Sequence, residues 1–158
     1  MGLKEQLSED LKAAMRSGDA LRRDVVRSAI TAINNAEIAG VDITDERATR
    51  QPLGEDAVMD VLRKQVKQRR DSAAEYRKAK RADLAEREEA EIAVLEGYLP
   101  RQLSRDEIAS EVRQVIAETA ASGPGDKSKV MPAAMQRLKG RADGRLINEV
   151  ATELLSQL

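Results

Sequence analysis

Cysteine, histidine, phenylalanine and tryptophan are all absent from these 158 residues, and tyrosine occurs only as Tyr76 and Tyr98. Without cysteine there are no disulfides and no thiolate metal sites. Without histidine the chain has neither the usual imidazole ligand nor the commonest general base near neutral pH. With so few rings the core has to be aliphatic, which suits a small helical bundle better than a β-sandwich. No apolar stretch approaches the roughly 20 residues of a membrane helix, and Lys4, Glu5, Glu9 and Asp10 interrupt any secretory core. The expectation is a soluble chain in the cytoplasm, with no metal, no cofactor and no membrane contact.

Charge is abundant but balanced. Lysine and arginine number 27 against 28 acids, a net charge of -1, so any nucleic-acid footprint has to be local. Apolar spacing reads as helix nearly throughout. Leu3, Leu7, Leu11 and Met15 recur every four residues, and Ser17-Gly18 ends that stripe. Asp19 can cap a second helix through Leu21, Val25, Ala29 and Ile33. Between about Ala39 and Gly54 the pattern lapses into a loop or a short extra turn, and a long helix runs from Asp56 to Tyr76. After Lys80–Asp83 a fourth helix carries Leu84, Ile92 and Leu95, and Pro100 disfavours helical geometry at Leu99.

Beyond Pro100, Ser104 and Glu107 stand in capping-box spacing ahead of Ile108, Val112, Val115 and Ile116. Ser122-Gly123-Pro124-Gly125 is a strong turn. A helix from about Asp126 to Leu138 stops at Gly140, and Asp143 can cap a last one with Leu146, Ile147, Val150, Leu154 and Leu155 inward. The predicted architecture is all-α: a four-helix domain over residues 1–99 and a three-helix domain over residues 100–158, with a hinge near Pro100.

Two segments carry uneven charge. From Arg63 to Arg81 nine basic residues face only Asp71 and Glu75, whereas from Asp83 to Glu96 six acids face Arg87 alone. Either two antiparallel helices pair these charges across their seam, or Lys67, Arg69 and Arg70 form a basic patch open to a partner. From Lys127 to Arg145 six basic residues, Lys127, Lys129, Arg137, Lys139, Arg141 and Arg145, face Asp143 alone. Gly140, Asp143 and Gly144 are explained by the turn between two helices. The crowding of Lys139, Arg141 and Arg145 around that turn is not, and arginine, lysine and helix-start N–H groups are the usual phosphate contacts.

The stretch Lys129-Val130-Met131, the link Lys139-Gly140-Arg141-Ala142-Asp143-Gly144 and the following Leu146-Ile147-Asn148 closely resemble the GatB/YqeY family. Lys67-Gln68-Arg69, Asp83-Leu84 and the run from Glu91-Ile92 to Tyr98-Leu99-Pro100 resemble its stand-alone members. The resemblance implies a helical N-terminal domain and a three-helix tail like that of the B subunit of glutamine-dependent aminoacyl-tRNA amidotransferase. It implies tRNA or other RNA as partner, held through Lys129, Lys139, Arg141 and Arg145, with Lys127 beside them. Two departures stand out: Ser128 replaces a frequent glycine, and Pro132 sits where it can kink or delay the helix start. The segment from Arg47 to Gly54 reads as an insertion.

Three functions follow for testing. The chain is an RNA-binding accessory protein, or part of a carbon–nitrogen ligase acting with other subunits and glutamine as donor, or a helical module that docks on a protein partner in translation. Ammonia release needs an activated nucleophile, and carboxylate activation needs a phosphate cradle. Neither G-x-x-x-x-G-K-[ST] nor G-x-S-x-G occurs, so no catalytic residue is assigned.

Overall fold

The computed structural model describes residues 1–41, 44–46 and 50–158. Seven helices and one 3-10 turn, with no strand among the described residues, bear out the all-α expectation. Two compact units divide the chain, Met1–Leu99 and Pro100–Leu158.

The first unit holds α1 (Leu3–Ser17), α2 (Ala20–Ala39), α3 (Glu55–Lys78) and α4 (Ala82–Glu96). Gly18 closes α1 at φ 75, the left-handed geometry that glycine adopts without a Cβ penalty. Asp19 caps α2 by accepting the Arg22 N–H at 3.1 Å. Helix α1 packs on α2, α3 on α4, and α2 on both α3 and α4. Leu7, Val26, Val58, Leu62 and Leu95 are fully enclosed between them.

The α1 stripe departs from expectation at its end. Met15 is 56% exposed, while Ala14 is 2% exposed and belongs to the buried set. Each residue turns about 100°, so Ala14 comes back to within about 20° of Leu3 and Met15 lies about 120° away. Leu21 at the start of α2 is likewise 38% exposed. Helix α2 contributes a buried acid instead: Glu37 is 3% exposed. It accepts a close hydrogen bond from Lys4 of α1 and one at 2.7 Å from Arg50. Those two bonds hold its carboxyl below the ordinary carboxylate range.

Helices α3 and α4 meet at Lys80, which takes φ 58, and Arg81 N–H returns to the Tyr76 carbonyl at 2.8 Å. Just past α4 the Tyr98 hydroxyl donates to Asp10 at 2.5 Å. Burial, and then the Asp10 carboxylate, push that phenol up to about 12. The expected insertion from Arg47 to Gly54 falls in part on residues 47–49, which lie outside the described residues.

The second unit holds α5 (Arg105–Glu118), a 3-10 turn (Pro124–Asp126), α6 (Lys127–Arg137) and α7 (Gly144–Ser156). The capping box forms in both directions: Glu107 N–H donates to Ser104 Oγ, and Ser104 N–H donates to Glu107 at 2.8 Å. Each pair among α5, α6 and α7 packs together. Their apolar stripes close on Ile108, Val112, Val130, Leu138, Ile147 and Leu155.

Candidate nucleic-acid interface

Helix α6 is launched by the turn before it. Asp126 accepts from Ser122 N–H at 2.8 Å and from the Ser122 hydroxyl at 3.2 Å. These bonds, with Lys129 adding, keep the Asp126 carboxyl below its ordinary range. Pro132 neither delays nor divides the helix, which starts at Lys127 and continues to Arg137. Proline removes one N–H donor, and the carbonyl that loses it belongs to exposed Ser128, where water can replace the bond. Lys127 is half-buried and Lys129 exposed at this end of α6, with Lys129 3.7 Å from Asp126.

The link to α7 lies at the other end. Eleven helical residues at about 1.5 Å each put roughly 16 Å between the two ends. Lys127 and Lys129 are therefore not gathered with Lys139, Arg141 and Arg145; the five candidates form two groups. Within the link, Leu138 is fully buried, and its carbonyl accepts both Arg141 N–H at 2.9 Å and Ala142 N–H at 3.2 Å. Gly140 takes φ 74 between them. Asp143 caps α7 by accepting the Arg145 N–H at 2.7 Å. A Cβ on Gly144 would stand 3.0 Å from Met135 Cε, so the helix start and that thioether fit closely.

The segment before α5 ties the link from outside. Leu103 N–H donates to the Arg141 carbonyl at 2.8 Å, and Gln102 Nε2 donates to the Gly140 carbonyl at 3.4 Å. The backbone is thus fixed by apolar burial on one side and hydrogen bonds on the other. Lys139, Arg141 and Arg145 project from it exposed, and none of the three forms an ion pair among the described residues. Arg137, one residue before the C-cap of α6, is used differently. It donates to Glu111 at 2.8 Å and to Glu118 at 3.1 Å on α5, and those carboxylates raise its pKa.

The other basic candidates sit on α3. Arg69 donates to Glu91 at 3.2 Å and to Gln65 at 2.8 Å, and Arg70 donates to Glu96 at 2.6 Å. Arg77 reaches Glu89 at 2.7 Å in the same way. These are charges paired across an antiparallel seam, and Lys67 remains exposed beside them. A shallow groove of about 380 Å³ crosses this hairpin, lined by Arg70, Ala73, Ala74, Arg77, Glu89 and Ile92. Its one acid, Glu89, is engaged by Arg77. Among the described residues no three acids converge as a cation site.

Sequence reasoning missed Glu37 and its two cationic partners. The signal was present, since Glu37 continues the four-residue spacing of Val25, Ala29 and Ile33, and a charge at a core position asks for partners.

A family model described as Yqey-like protein matches residues 4–155. A relative from Kluyveromyces lactis is 38% identical over 126 residues, covering 78% of this chain and 63% of its own. One from Lachancea thermotolerans is 37% identical over 75% of this chain and 60% of its own length. A third, from Pyrenophora tritici-repentis, is 31% identical over 95% of this chain and 79% of its own. The chain thus spans less than two thirds of the first two relatives. All three carry the name "Altered inheritance of mitochondria protein 41, mitochondrial". That name overturns the cytoplasmic expectation, because missing cysteines and missing apolar runs do not tell one aqueous compartment from another. A match running from α1 to the last turn of α7, with both units inside it, settles the family: the chain belongs to the Yqey-like proteins.

Proposed function

We propose that this chain is an RNA-binding accessory protein that grips the phosphate backbone of tRNA, or of another structured RNA, at the α6–α7 link. Lys139, Arg141 and Arg145 make the contacts, Lys127 and Lys129 extend them along α6, and the chemistry, if the bound RNA undergoes any, is supplied by other proteins. Kinship with the tail of glutamine-dependent aminoacyl-tRNA amidotransferases is part of this reading. So is the division of labour between a four-helix domain, residues 1–99, and a three-helix tail, residues 100–158, that does the holding.

One observation carries the reading: three exposed cations project from a backbone that already has its own hydrogen bonds and its own buried anchor. The turn does not need those charges, whereas phosphate recognition does. The test is tRNA binding by the full chain at low and moderate salt, native against Lys139→Ala/Arg141→Ala. Native binding should weaken as salt rises, and the variant should bind less tightly with a shallower dependence. Salt-insensitive binding that is equal in both proteins sinks the reading. Capture of one protein partner that survives ribonuclease favours a docking module instead.

A further inference from the structure

The α1–α2 pair carries a basic surface that no part of the link reading uses. Between residues 12 and 27 the chain places Lys12, Arg16, Arg22, Arg23 and Arg27 against Asp19 and Asp24. On α1 the buried face runs through Leu3, Leu7 and Ala14. At about 100° per residue, Lys12 and Arg16 fall on the opposite face, with Met15 at its edge. On α2 the buried face runs through Val25, Val26, Ala29 and Ile33, which leaves Arg23 and Arg27 one turn apart on its flank. The Arg27 guanidinium lies 3.9 Å from the Met15 sulfur, so this flank of α2 adjoins the outer face of α1.

The surface so assembled holds Lys12, Met15, Arg16, Arg23 and Arg27. Its charges are offset in part, since Glu5 and Glu9 stand on the same outer face of α1 nearer the helix start. Arg16 and Arg27 are exposed and in no ion pair among the described residues. Lys12 meets Glu9 at 3.2 Å on its own helix, with both side chains more than half exposed. Arg23 reaches Asp24 at 2.9 Å. That aspartate is held below its ordinary range by the Arg23 bond first, with Arg27 and Arg87 adding to the field. Arg22 stands apart, near Asp19 at 3.9 Å. Among the described residues no carboxylate of a neighbouring helix forms an ion pair with these cations, as those of α4 do with α3.

We propose that this outer face of the α1–α2 pair is a second contact surface for the phosphate backbone of RNA. The inference rests on the RNA reading for its choice of ligand, but on separate residues. Guanidinium groups pair with phosphate through two parallel N–H bonds. Residues one turn apart present their Cβ atoms about 5–6 Å from each other, a spacing from which two long side chains reach neighbouring phosphates. An anionic membrane is the poorer fit. Surface-lying helices need a broad apolar face, and α1 has committed Leu3 and Leu7 to the core. Of the large apolar side chains between residues 3 and 27, only Met15 and Leu21 are exposed. None of the five side chains of this surface is aromatic, so the contact reads charge and shape rather than sequence.

The experiment uses the full chain with one tRNA probe, titrated at about 50 and about 200 mM salt. It compares the native protein, Arg16→Ala/Arg27→Ala, Lys139→Ala/Arg141→Ala and the four-site combination. Arg16→Ala/Arg27→Ala should lose roughly threefold or more in affinity, and its log–log salt slope should flatten by roughly 0.7–0.9 per side chain removed. Arg16→Lys/Arg27→Lys, which keeps the charge, should recover most of that slope. Unchanged far-ultraviolet dichroism and Tm establish that the exposed substitutions left the fold intact.

The outcomes separate the two readings. If Arg16→Ala/Arg27→Ala binds like the native chain while Lys139→Ala/Arg141→Ala weakens, the α1–α2 surface is overturned and the link stands. If only Arg16→Ala/Arg27→Ala weakens, the link reading falls and this one holds. No effect from either pair overturns both. Sedimentation with phosphatidylserine vesicles but no binding to tRNA assigns the surface to a membrane and overturns it as an RNA contact.

Discussion

The α3–α4 hairpin and the α6–α7 link both begin as basic stretches, and folding treats them in opposite ways. On α3 the cations face a second helix rich in glutamates, and Arg69, Arg70 and Arg77 each close on one of them. At the link the facing elements are an apolar anchor, Leu138, and the segment Gln102–Leu103, which offers one side-chain and one backbone N–H donor. The side chains of Lys139, Arg141 and Arg145 therefore form no ion pair among the described residues. The same kind of sequence serves as a register device in one place and as an open positive surface in the other. What decides between them is the chemistry of the element packed opposite.

The comparison can be broken first at the anchors. Leu138 has no exposed surface, and its carbonyl holds the two N–H groups that shape the link. Leu138→Ala should cost about 2–5 kcal/mol of stability, measured by denaturant unfolding. It should also abolish salt-dependent RNA binding although no cation has been removed. RNA affinity that survives this substitution would mean the link's fixed geometry is irrelevant to its charge.

Next comes binding itself. Lys139→Ala/Arg141→Ala/Arg145→Ala should weaken tRNA binding by roughly tenfold or more and reduce the salt slope by roughly one for each cation lost. Arg69→Ala/Arg70→Ala should leave both nearly unchanged, because those guanidinium groups are already engaged. Equal losses from the two sets would erase the distinction drawn between the regions.

A smaller effect tests the hairpin from its own side. Arg69 and Glu91 keep only 14% and 18% of their side-chain surface, so their pair is screened less than an exposed one. Glu91→Ala should lower stability by about 1 kcal/mol, with tRNA affinity rising slightly as Arg69 is released. Chemical denaturation followed by a binding titration checks both halves. A drop in affinity would show that the hairpin's acids are part of the ligand surface.

What could be read from the sequence was mainly what is local. The Ser104–Glu107 box, the Asp19 and Asp143 caps and the Gly140 turn depend on groups within a few residues, so spacing suffices. Met15 misled because a four-residue interval overruns the helical turn by about 40° at each step, and the error grows along the stripe until Ala14 takes the inward place. For Arg69 and Arg70 the sequence left two readings open, a paired seam or an open patch, and it gave Arg137 no separate role. Their partners lie 19 to 26 residues away on other helices, and packing decides which carboxylate each one meets. Glu37 was hidden by residue type: its position in the α2 stripe is a core position, but a carboxylate there becomes plausible only once Lys4 and Arg50 are seen around it.

The mildest effect belongs to a paired charge that tethers the link's support. Glu107 closes the α5 capping box and takes both forks of Arg101, at 2.8 and 3.1 Å. Arg101 first, then the Ser104 N–H, lower its carboxyl from 4.5 to about 2. Between those two values the unfolded chain binds a proton that the folded chain does not, so stability rises with pH across that interval. The contribution is complete above about pH 5 and is lost as the pH falls toward 2. Glu107→Gln has no proton to bind and keeps a side chain of the same shape. The difference in Tm between native protein and this variant should therefore be constant near neutrality and close on acidification, since the carboxylates common to both cancel. Melts across pH 2 to 6 measure it. The absence of any gap near neutrality would mean that Glu107 acts through shape rather than charge. The contrast between paired and open charges would then have to rest on the arginines alone.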